Sequence, residues 1–292
     1  MFDNLISPDR ISIVVQGPII QDVTPEVLSS IRKYFRGGEI ILSTWKGEIH
    51  ANLDFDFLIE NDDPGALPKY FGKQNNLNRQ IASTANGLKA VSRDFAMKVR
   101  TDIPFVHGGC LDLFNYVDTK PRLTELQIFK KRIAICSYFT WNPERNLGLF
   151  HPSDLFMLGR TEDLLHYWGC PLAKSCDNNV NSPEKYLFVQ ALNARRIFPL
   201  QNIDRVTSNS IWNLWKSEIS LLSNFFLFNS NDIGLKNKRH FEQTPSGANC
   251  YTAEEWEYLN ILYGKNPAPI GRLLNVCLRG FLRKMRRLIC RT

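Results

Sequence analysis

Strand-like and helix-like segments alternate along the first 105 residues, and this alternation restricts the fold more than any other feature. The runs Ile11 to Gln16, Glu39 to Ser43 and Asp56 to Ile59 predict strands, while Thr24 to Glu26 has the cap, proline and acid of a helix start. Successive strand and helix units build parallel sheets covered by helices. We therefore expect an α/β fold with a Rossmann-like, mostly parallel sheet and helices on both faces.

A helix followed directly by a strand is predicted between Asn78 and Ile103. The helix has an apolar side and carries Arg79 in its first turn, and the strand Phe95 to Val99 leads into Arg100, Thr101 and Asp102. Ligands of open α/β sheets bind at the carboxyl ends of strands, so Asp102 is placed to meet a cation or a ribose. Alternatively, Asp102 caps a loop or pairs with Arg100.

The second half of the chain is less regular. Leu155 to Leu158 indicates a strand, and a short helix is predicted to start at Thr161. A second helix is predicted to start at Ser182 and to run to about Ala194. Thr252 begins a capping box. The stretch Asn202 to Gly247 is rich in Asn, Ser and aromatic residues, which favours loops and short elements.

The net charge of +7 is located in the C-terminal tail. Residues 271–292 hold seven of the 36 Lys and Arg residues and no acid, which leaves 29 basic and 29 acidic residues elsewhere. Drawn as a helix, the tail has an apolar stripe of Leu274, Leu278, Phe281, Met285 and Leu288, opposite Arg272, Arg279, Arg283 and Arg286. Such a helix can bind an anionic membrane surface, and its removal should then leave a folded core. The alternative is a terminal helix packed on the domain, whereas a neutral remainder argues against nucleic-acid binding.

Length and composition set the class of protein. With 292 residues, 43% of them hydrophobic, the chain can bury a large core. No apolar run reaches membrane-spanning length and the first residues lack a secretory signal, so we expect a cytoplasmic protein, peripheral at the inner face of the membrane. The seven cysteines form no CxxC pair, and no zinc-type histidine pair occurs, which indicates reduced thiols.

Several segments resemble the WavE family associated with lipopolysaccharide synthesis. The strongest are VVQGPI, EIILSTWKGE, ENDDPG, NRQIAST and AMKVRTDI, all within about the first 105 residues, with looser matches at 149–165 and 182–188. The resemblance implies a glycosyltransferase that moves a sugar from a nucleotide-sugar to a lipopolysaccharide core, or to another oligosaccharide or lipid-linked acceptor. It divides the chain into a nucleotide-sugar-binding half (1–105), an acceptor-side half of the same domain (106–269) and the basic tail (270–292).

The chain is also similar to GT-A glycosyltransferases, and this similarity implies roles for individual residues. The donor-binding residues would be Gln16, Gly17, Pro18, Asp22, Lys46, Asn78, Arg79 and Arg100. Asp102 would hold Mg²⁺ or Mn²⁺, although the first aspartate of the D-x-D motif is missing here. Arg79, Arg100 or Lys98 can carry part of the phosphate charge instead. His240 could also reach the metal or diphosphate, although a solvated loop histidine is the simpler interpretation.

Two acids are candidates for the catalytic base. Glu184 matches the place of the acceptor-side acid in many GT-A enzymes, but it could simply complement the helix dipole. Asp154, beside His151, is the rival, and either acid could bind sugar hydroxyls instead. Trp45, Asp62 and Asp63 could reach the nucleotide, although core and turn roles are typical of such residues.

Two other classes of function remain open. A sugar nucleotidyltransferase would activate a sugar phosphate, but QGPIIQD stands where its glycine-rich basic loop is expected. A non-catalytic, membrane-associated scaffold of polysaccharide assembly would suit the incomplete D-x-D motif. Polar residues grouped at predicted element ends argue against a scaffold, since it does not need them there.

Overall fold

A computed structural model describes residues 5–70, 72–118, 120–146, 148–175, 177, 180–196, 210–236 and 249–289. The strands are β1 (Ile11–Gln16), β2 (Glu39–Trp45), β3 (Phe57–Asn61), β4 (Leu67–Tyr70), β5 (Lys73–Asn75), β6 (Phe95–Arg100), β7 (Ile133–Cys136), β8 (Met157–Arg160) and β9 (Phe225–Phe228). The helices are α1 (Thr24–Tyr34), α2 (Leu77–Lys89), α3 (Cys110–Asp118), α4 (Thr161–Trp168), α5 (Pro183–Ala194), α6 (Ile211–Asn224), α7 (Ala253–Lys265) and α8 (Ile270–Ile289).

One sheet contains strands from both halves of the chain, in the order β3-β2-β1-β6-β8-β7-β9. β1 is parallel to β2 and β6, β2 is parallel to β3, and β7 is parallel to β9. β8 runs antiparallel to both of its neighbours, β6 and β7. The predicted mostly parallel α/β sheet is therefore confirmed, and β7 runs in the same direction as β1 and β6.

Helices cover both faces of this sheet. Alternate side chains of a strand point to opposite faces, so Val14 faces a core formed by α2 and α4 to α8, whereas Ile13 and Val15 face α1 and α3. Helix α2 lies very close to β1, because a Cβ atom on Gly87 would sit only 2.5 Å from Val14 Cγ1. One turn earlier on α2, the Ser83 hydroxyl donates to the side chain of Gln16, the last residue of β1, so the amino end of α2 lies beside the carboxyl end of β1.

Two local predictions from the sequence were wrong. Helix α1 includes Thr24, so Val23 is its N-cap, and the Thr24 hydroxyl instead donates to the carbonyl of Thr101. The stretch expected to hold loops and short elements contains the four-residue β9 but also α6, a helix of 14 residues. Its polar residues are buried and hydrogen-bonded: Ser217 accepts from the backbone of Phe150 and Asn224 from that of Ile128. His240 lies outside the described residues.

The predicted tail helix is present as α8, but part of it packs on the domain. Leu273 and Val276 are buried, and the Arg272 guanidinium donates to the buried Glu218 carboxylate at 2.8 and 2.6 Å. Arg272 was expected on the solvated face and is instead 15% exposed, because Glu218 needs a counter-charge. Most of the predicted apolar stripe is exposed, namely Leu274, Leu278, Phe281 and Met285. Among the described helices, none has the length and apolarity to cross a bilayer.

Candidate functional site

A cleft of about 400 Å³ opens at the carboxyl ends of β1, β2 and β6. These ends, the loop after β3 and the start of α2 supply its lining, which consists of Gln16, Gly17, Pro18, Ile20, Trp45, Asp63, Asn76, Arg79, Gln80, Arg100, Thr101 and Asp102. This is the edge at which open α/β sheets bind ligands. Six of the residues expected to bind donor or metal therefore lie around one cavity.

The loop after β1 forms a rigid wall of the cleft. Gly17 has φ = +125°, and a Cβ atom there would lie 3.0 Å from Thr101 Oγ1, so a side chain is disfavoured on both counts. The Gly17 amide donates to the Ser43 carbonyl at 3.1 Å, and the Gln16 side-chain oxygen accepts from the Ser83 hydroxyl at 2.7 Å. The backbone can thus approach a ligand closely while its position is held by two neighbouring elements.

Arg79 stands at the start of α2 in a two-point ion pair with Asp63. Its Nε and Nη2 atoms donate to the Asp63 carboxylate at 2.8 and 2.6 Å, and its Nη1 donates to Asn76 at 3.1 Å. The Arg79 guanidinium lowers the pKa of Asp63, which also accepts from the Gly65 amide as expected of a turn acid. Asp63 therefore orients a cation that is 29% exposed at the mouth of the cleft.

Arg100 and Asp102 form a second pair of this kind, one of the alternatives left open by the sequence. Arg100 Nε and Nη2 donate to the two Asp102 carboxylate oxygens at 2.9 and 3.1 Å. Within the part of the chain that is described, no three His, Cys, Asp or Glu side chains assemble into a potential metal site. Since Mg²⁺ and Mn²⁺ prefer several oxygen ligands and Arg100 binds both oxygens of this carboxylate, the residues around Asp102 do not fit a protein-built metal site.

Three residues expected to bind the donor, Asn78, Lys46 and Asp22, lie outside this lining. The Asn78 side chain is buried and makes two hydrogen bonds with the backbone of Ala173, at 2.9 and 2.7 Å, so its role here is structural. Lys46 pairs with Asp62 at 2.8 Å on the surface, and Asp22 is exposed in the turn before α1. The contacts of Asn78 with Ala173 and of Lys46 with Asp62 show that neither side chain contributes to the wall of the cleft.

Behind Arg100 lies a buried polar cluster, which we define as Lys98, His151, Asp154, Tyr167 and Glu184. Lys98 is two residues before Arg100 on β6, is 1% exposed and donates to the Asp154 carbonyl. It therefore cannot meet a phosphate in the cleft, contrary to one expectation from the sequence. The Asp154 Oδ2 atom and the Tyr167 hydroxyl are buried and have no hydrogen-bond partner among the described residues.

Burial controls the protonation of this cluster. It raises the pKa of Glu184 to about 8, with the charge of Asp154 acting in the same direction and those of Lys98 and Arg100 opposing it. It lowers the pKa of His151 to about 4 and that of Lys98 to about 8. Near neutral pH the cluster therefore favours a protonated Glu184 beside a neutral His151.

The environment of Glu184 could be predicted only in part. Its place in the first turn of α5 follows from Ser182 and Pro183, and the structure has that helix starting at Pro183. Trp141, stacked on His151 with ring centroids 3.7 Å apart, gave no signal because it lies in an irregular loop. Gln80 was also missed, although it follows Arg79 and lines the same cleft.

Comparisons with known proteins identify one family. A family model described as WavE lipopolysaccharide synthesis matches residues 11–290. No curated protein matches the chain. Similar solved structures include the mannosyltransferase PcManGT from Pyrobaculum calidifontis in complex with GDP-Man and Mn²⁺, with a TM-score of 0.40 and 10% identity over 97% of this chain and 78% of that one. S. aureus TarS 1-349 gives a TM-score of 0.31 and 14% identity over 53% of this chain and 48% of that one.

Proposed function

The chain belongs to the WavE lipopolysaccharide synthesis family, and on this premise we propose that it is a glycosyltransferase. It moves a sugar from a nucleotide-sugar to a lipopolysaccharide core or another surface-polysaccharide acceptor. The observation that carries the proposal is the cleft at the strand carboxyl ends, with two oriented arginines on its wall and a buried acid behind one of them.

The cleft takes the nucleotide-sugar in this proposal. Departure of the nucleoside diphosphate requires positive charge where negative charge develops, and Arg79 and Arg100 present guanidinium groups there. The two-point geometry of a guanidinium matches phosphate oxygens. Trp45 offers an aromatic face for the base or the sugar, and the rigid loop at Gly17 admits the ligand close to the backbone.

Glu184 is the proposed catalytic base. The acceptor oxygen forms a bond to the anomeric carbon as the bond between that carbon and the diphosphate breaks, and the acceptor proton passes to the Glu184 carboxylate. Asp154 acts through Glu184, because its charge helps to raise the pKa of that group. A carboxylate with such a pKa is a strong proton acceptor once ionised, and Lys98 and Arg100 favour the ionised form.

Helix α8 is proposed to hold the protein on an anionic membrane, at the inner face of the cytoplasmic membrane. Its exposed apolar stripe would enter the headgroup region, and the tail supplies basic residues that attract anionic lipids. Arg283 donates to the carbonyls of Pro143 and Glu144, so the helix reaches the loop that carries Trp141. A lipid-linked acceptor would thus be held near the acceptor-side acid.

A panel of nucleotides tests the proposal. Thermal shifts of the full chain with UDP, GDP, CMP, ADP and TDP, each with and without Mn²⁺, should select one nucleotide, since a ligand at 100 times its Kd adds about 2.7 kcal/mol. The Arg79→Gln variant should lose that shift, while Lys89→Gln, on the same helix but outside the cleft lining, should keep it. No shift with any nucleotide would favour the scaffold hypothesis. A shift that survives Arg79→Gln would contradict the assignment of the cleft.

A further inference from the structure

An exposed tryptophan of the folded domain lies near the start of helix α8. Trp212, in the first turn of α6, is 70% exposed, and its ring meets that of Trp215 edge to face, with centroids 6.2 Å apart. Trp215 Nε1 donates to the Pro267 carbonyl at 2.8 Å, and Pro267 lies three residues before α8 begins at Ile270. These contacts place Trp212 at the amino end of α8.

The exposed apolar stripe of α8 starts at this same end. Ile270, the first residue of the helix, is 53% exposed, and Leu274, one turn later, is 51% exposed. The stripe continues to Met285, which the rise of a helix places about 22 Å from Ile270. With Trp212 at its amino end, exposed apolar surface continues from α8 onto a helix of the domain.

Helices α6 and α8 are held together by buried contacts. The Arg272 guanidinium of α8 donates to the Glu218 carboxylate of α6, and Leu273 and Val276 are buried beside it in the chain. These contacts fix α8 on the domain over its first two turns. Trp212 and the start of the stripe therefore belong to one fixed surface, and one planar partner can meet both.

The charge of this region suits an anionic partner. Residues 258–292 contain eight Lys and Arg residues and no acid. Glu218, the one acid of α6, is buried against Arg272, and Glu144 pairs with Arg272 and lies 3.8 Å from Arg279. These two acids leave most of the positive charge uncompensated within the segment. An apolar stripe on a basic helix is the composition that binds the headgroup region of anionic bilayers.

We propose that Trp212 enters the headgroup region of an anionic membrane together with the stripe of α8, so that the folded domain itself docks on the bilayer. This inference rests on the membrane role proposed for α8. An indole has a large apolar body and one N–H donor, which suits the boundary between lipid chains and water. Helix α8 then lies in the plane of the membrane, and Arg283 holds its other half against the carbonyls of Pro143 and Glu144.

Quenching by brominated phospholipids tests the position of Trp212 in the full chain. The vesicles contain phosphatidylcholine and phosphatidylglycerol with bromine on the acyl chains, and bromine quenches indoles that enter the bilayer. Trp212→Phe keeps an aromatic ring and should still sediment with these vesicles, but it should lose most of the quenching seen in the wild type. Trp168 and Trp256 are buried and should contribute none of it.

The affinity for the same vesicles gives a second measurement. Trp212→Ser removes the indole and should weaken binding about tenfold or more, which corresponds to about 1.4 kcal/mol. The matched control is Tyr116→Ser, an aromatic side chain that is 60% exposed on α3, at the opposite face of the sheet, and it should bind as the wild type does. Melting temperatures close to that of the wild type show that each variant is folded.

Sedimentation and quenching together separate this inference from the role of α8. If the wild type sediments with the vesicles but Trp212→Phe is quenched as strongly, α8 binds alone and the inference about Trp212 is wrong. If the wild type does not sediment with anionic vesicles, both proposals fail. If the wild type is a dimer without lipid and Trp212→Ser dissociates it in analytical ultracentrifugation, this surface joins two copies of the chain, which overturns the inference as well.

Discussion

His151 Nε2 lies 3.4 Å from Glu184 Oε2, so the proposed base is in contact with a buried histidine. The other ring nitrogen, Nδ1, is 2.9 Å from the Phe139 carbonyl, so it carries the proton in the neutral ring and leaves Nε2 as an acceptor facing Glu184. Trp141 stacks on the ring with an interplanar angle of 7°. His151 is thus held by a carbonyl and an indole in a position to accept a hydrogen bond from protonated Glu184.

The first prediction concerns the pH dependence of transfer. If Glu184 is the base, it must be ionised to accept a proton, so kcat/KM should rise with pH up to an apparent pKa near 8, the raised pKa of Glu184. Glu184→Gln keeps the shape but cannot take the proton, and it should lower kcat/KM by about 100-fold or more. The profile is measured from pH 6 to 9.5 with saturating acceptor.

His151→Gln separates a positioning role from a merely structural one. Loss of the Nε2 acceptor should move the apparent pKa of the kcat/KM profile, whereas general damage would lower the rate equally at all pH values. The matched control is Glu162→Gln, a surface carboxylate that pairs with Lys130 and Arg160 far from Glu184 in the fold. A profile that is flat across this range would exclude Glu184 as the base.

The second prediction concerns stability. The pKa of Glu184 is raised by folding from 4.5 to about 8, so between these values the folded protein holds a proton that the unfolded chain releases. The contribution of Glu184 to the free energy of unfolding therefore falls as pH rises from about 4.5 to 8. Glu184→Gln removes this term, and its stability relative to the wild type should increase from pH 5 to pH 8.

Urea denaturation of both proteins at several pH values gives this difference. His151 and Lys98 also titrate with shifted pKa values, but they are present in both proteins, so the difference isolates Glu184 if coupling to them is small. A difference that does not change with pH would show that Glu184 has an ordinary pKa in the folded protein.

The sequence allowed the lining of the cleft to be predicted better than the surroundings of Glu184, for a physical reason. Gln16, Arg79 and Arg100 lie at the ends of regular elements, and the position of such ends follows from local patterns of apolar residues. His151 and Glu184 are 33 positions apart, and the loop that carries His151 has no periodic pattern. Their contact depends on how α5 packs against that loop, which local patterns do not encode.

Helix α6 and the start of α8 show the same limit. The Ser and Asn content of the stretch that holds α6 favoured loops and short elements, but Ser217, Ser220 and Asn224 are buried, and tertiary hydrogen bonds satisfy such polar groups. Helical spacing places Arg272 on the basic face opposite the apolar stripe, and only the fold reveals its partner, Glu218, 54 positions earlier. The apolar stripe of α8, by contrast, depends on helical spacing alone, and four of its five predicted members, Leu274, Leu278, Phe281 and Met285, are exposed on this helix, while the side chain of Leu288 is not among those described.

The third prediction follows from the Arg272–Glu218 ion pair. Glu218 is 1% exposed and also accepts from the hydroxyls of Tyr251 and Tyr263, at 3.1 and 2.5 Å. Arg272→Met would leave this carboxylate buried without its cation, which should lower the free energy of unfolding by about 3 to 5 kcal/mol. Arg279→Met is the control, since Arg279 is 56% exposed and 3.8 Å from Glu144, and it should change stability by less than about 1 kcal/mol.

This ion pair also changes what truncation of the tail can show. Removal of the chain from Gly271 onward was expected to leave a folded core, but it deletes Arg272 and uncovers the surface on which Leu273 and Val276 pack. The truncated protein should therefore melt well below the full chain. Equal melting temperatures of the full chain and the truncated protein would mean that α8 does not pack as the structure has it.

The fourth prediction tests the membrane surface without disturbing this packing. Leu278 and Phe281 are 59% and 51% exposed, so Leu278→Ser/Phe281→Ser should leave the melting temperature nearly unchanged. Burial of a Leu or Phe side chain in an apolar environment contributes about 1.5 to 3 kcal/mol, so the double variant should bind anionic vesicles more than about tenfold less tightly in a sedimentation assay. Val106→Ser/Leu172→Ser, at two side chains 49% and 47% exposed elsewhere, should sediment as the wild type does. If both variants lose vesicle binding equally, binding depends on exposed apolar residues in general. If neither variant loses vesicle binding, the apolar face of α8 does not contribute to it, which contradicts the membrane proposal.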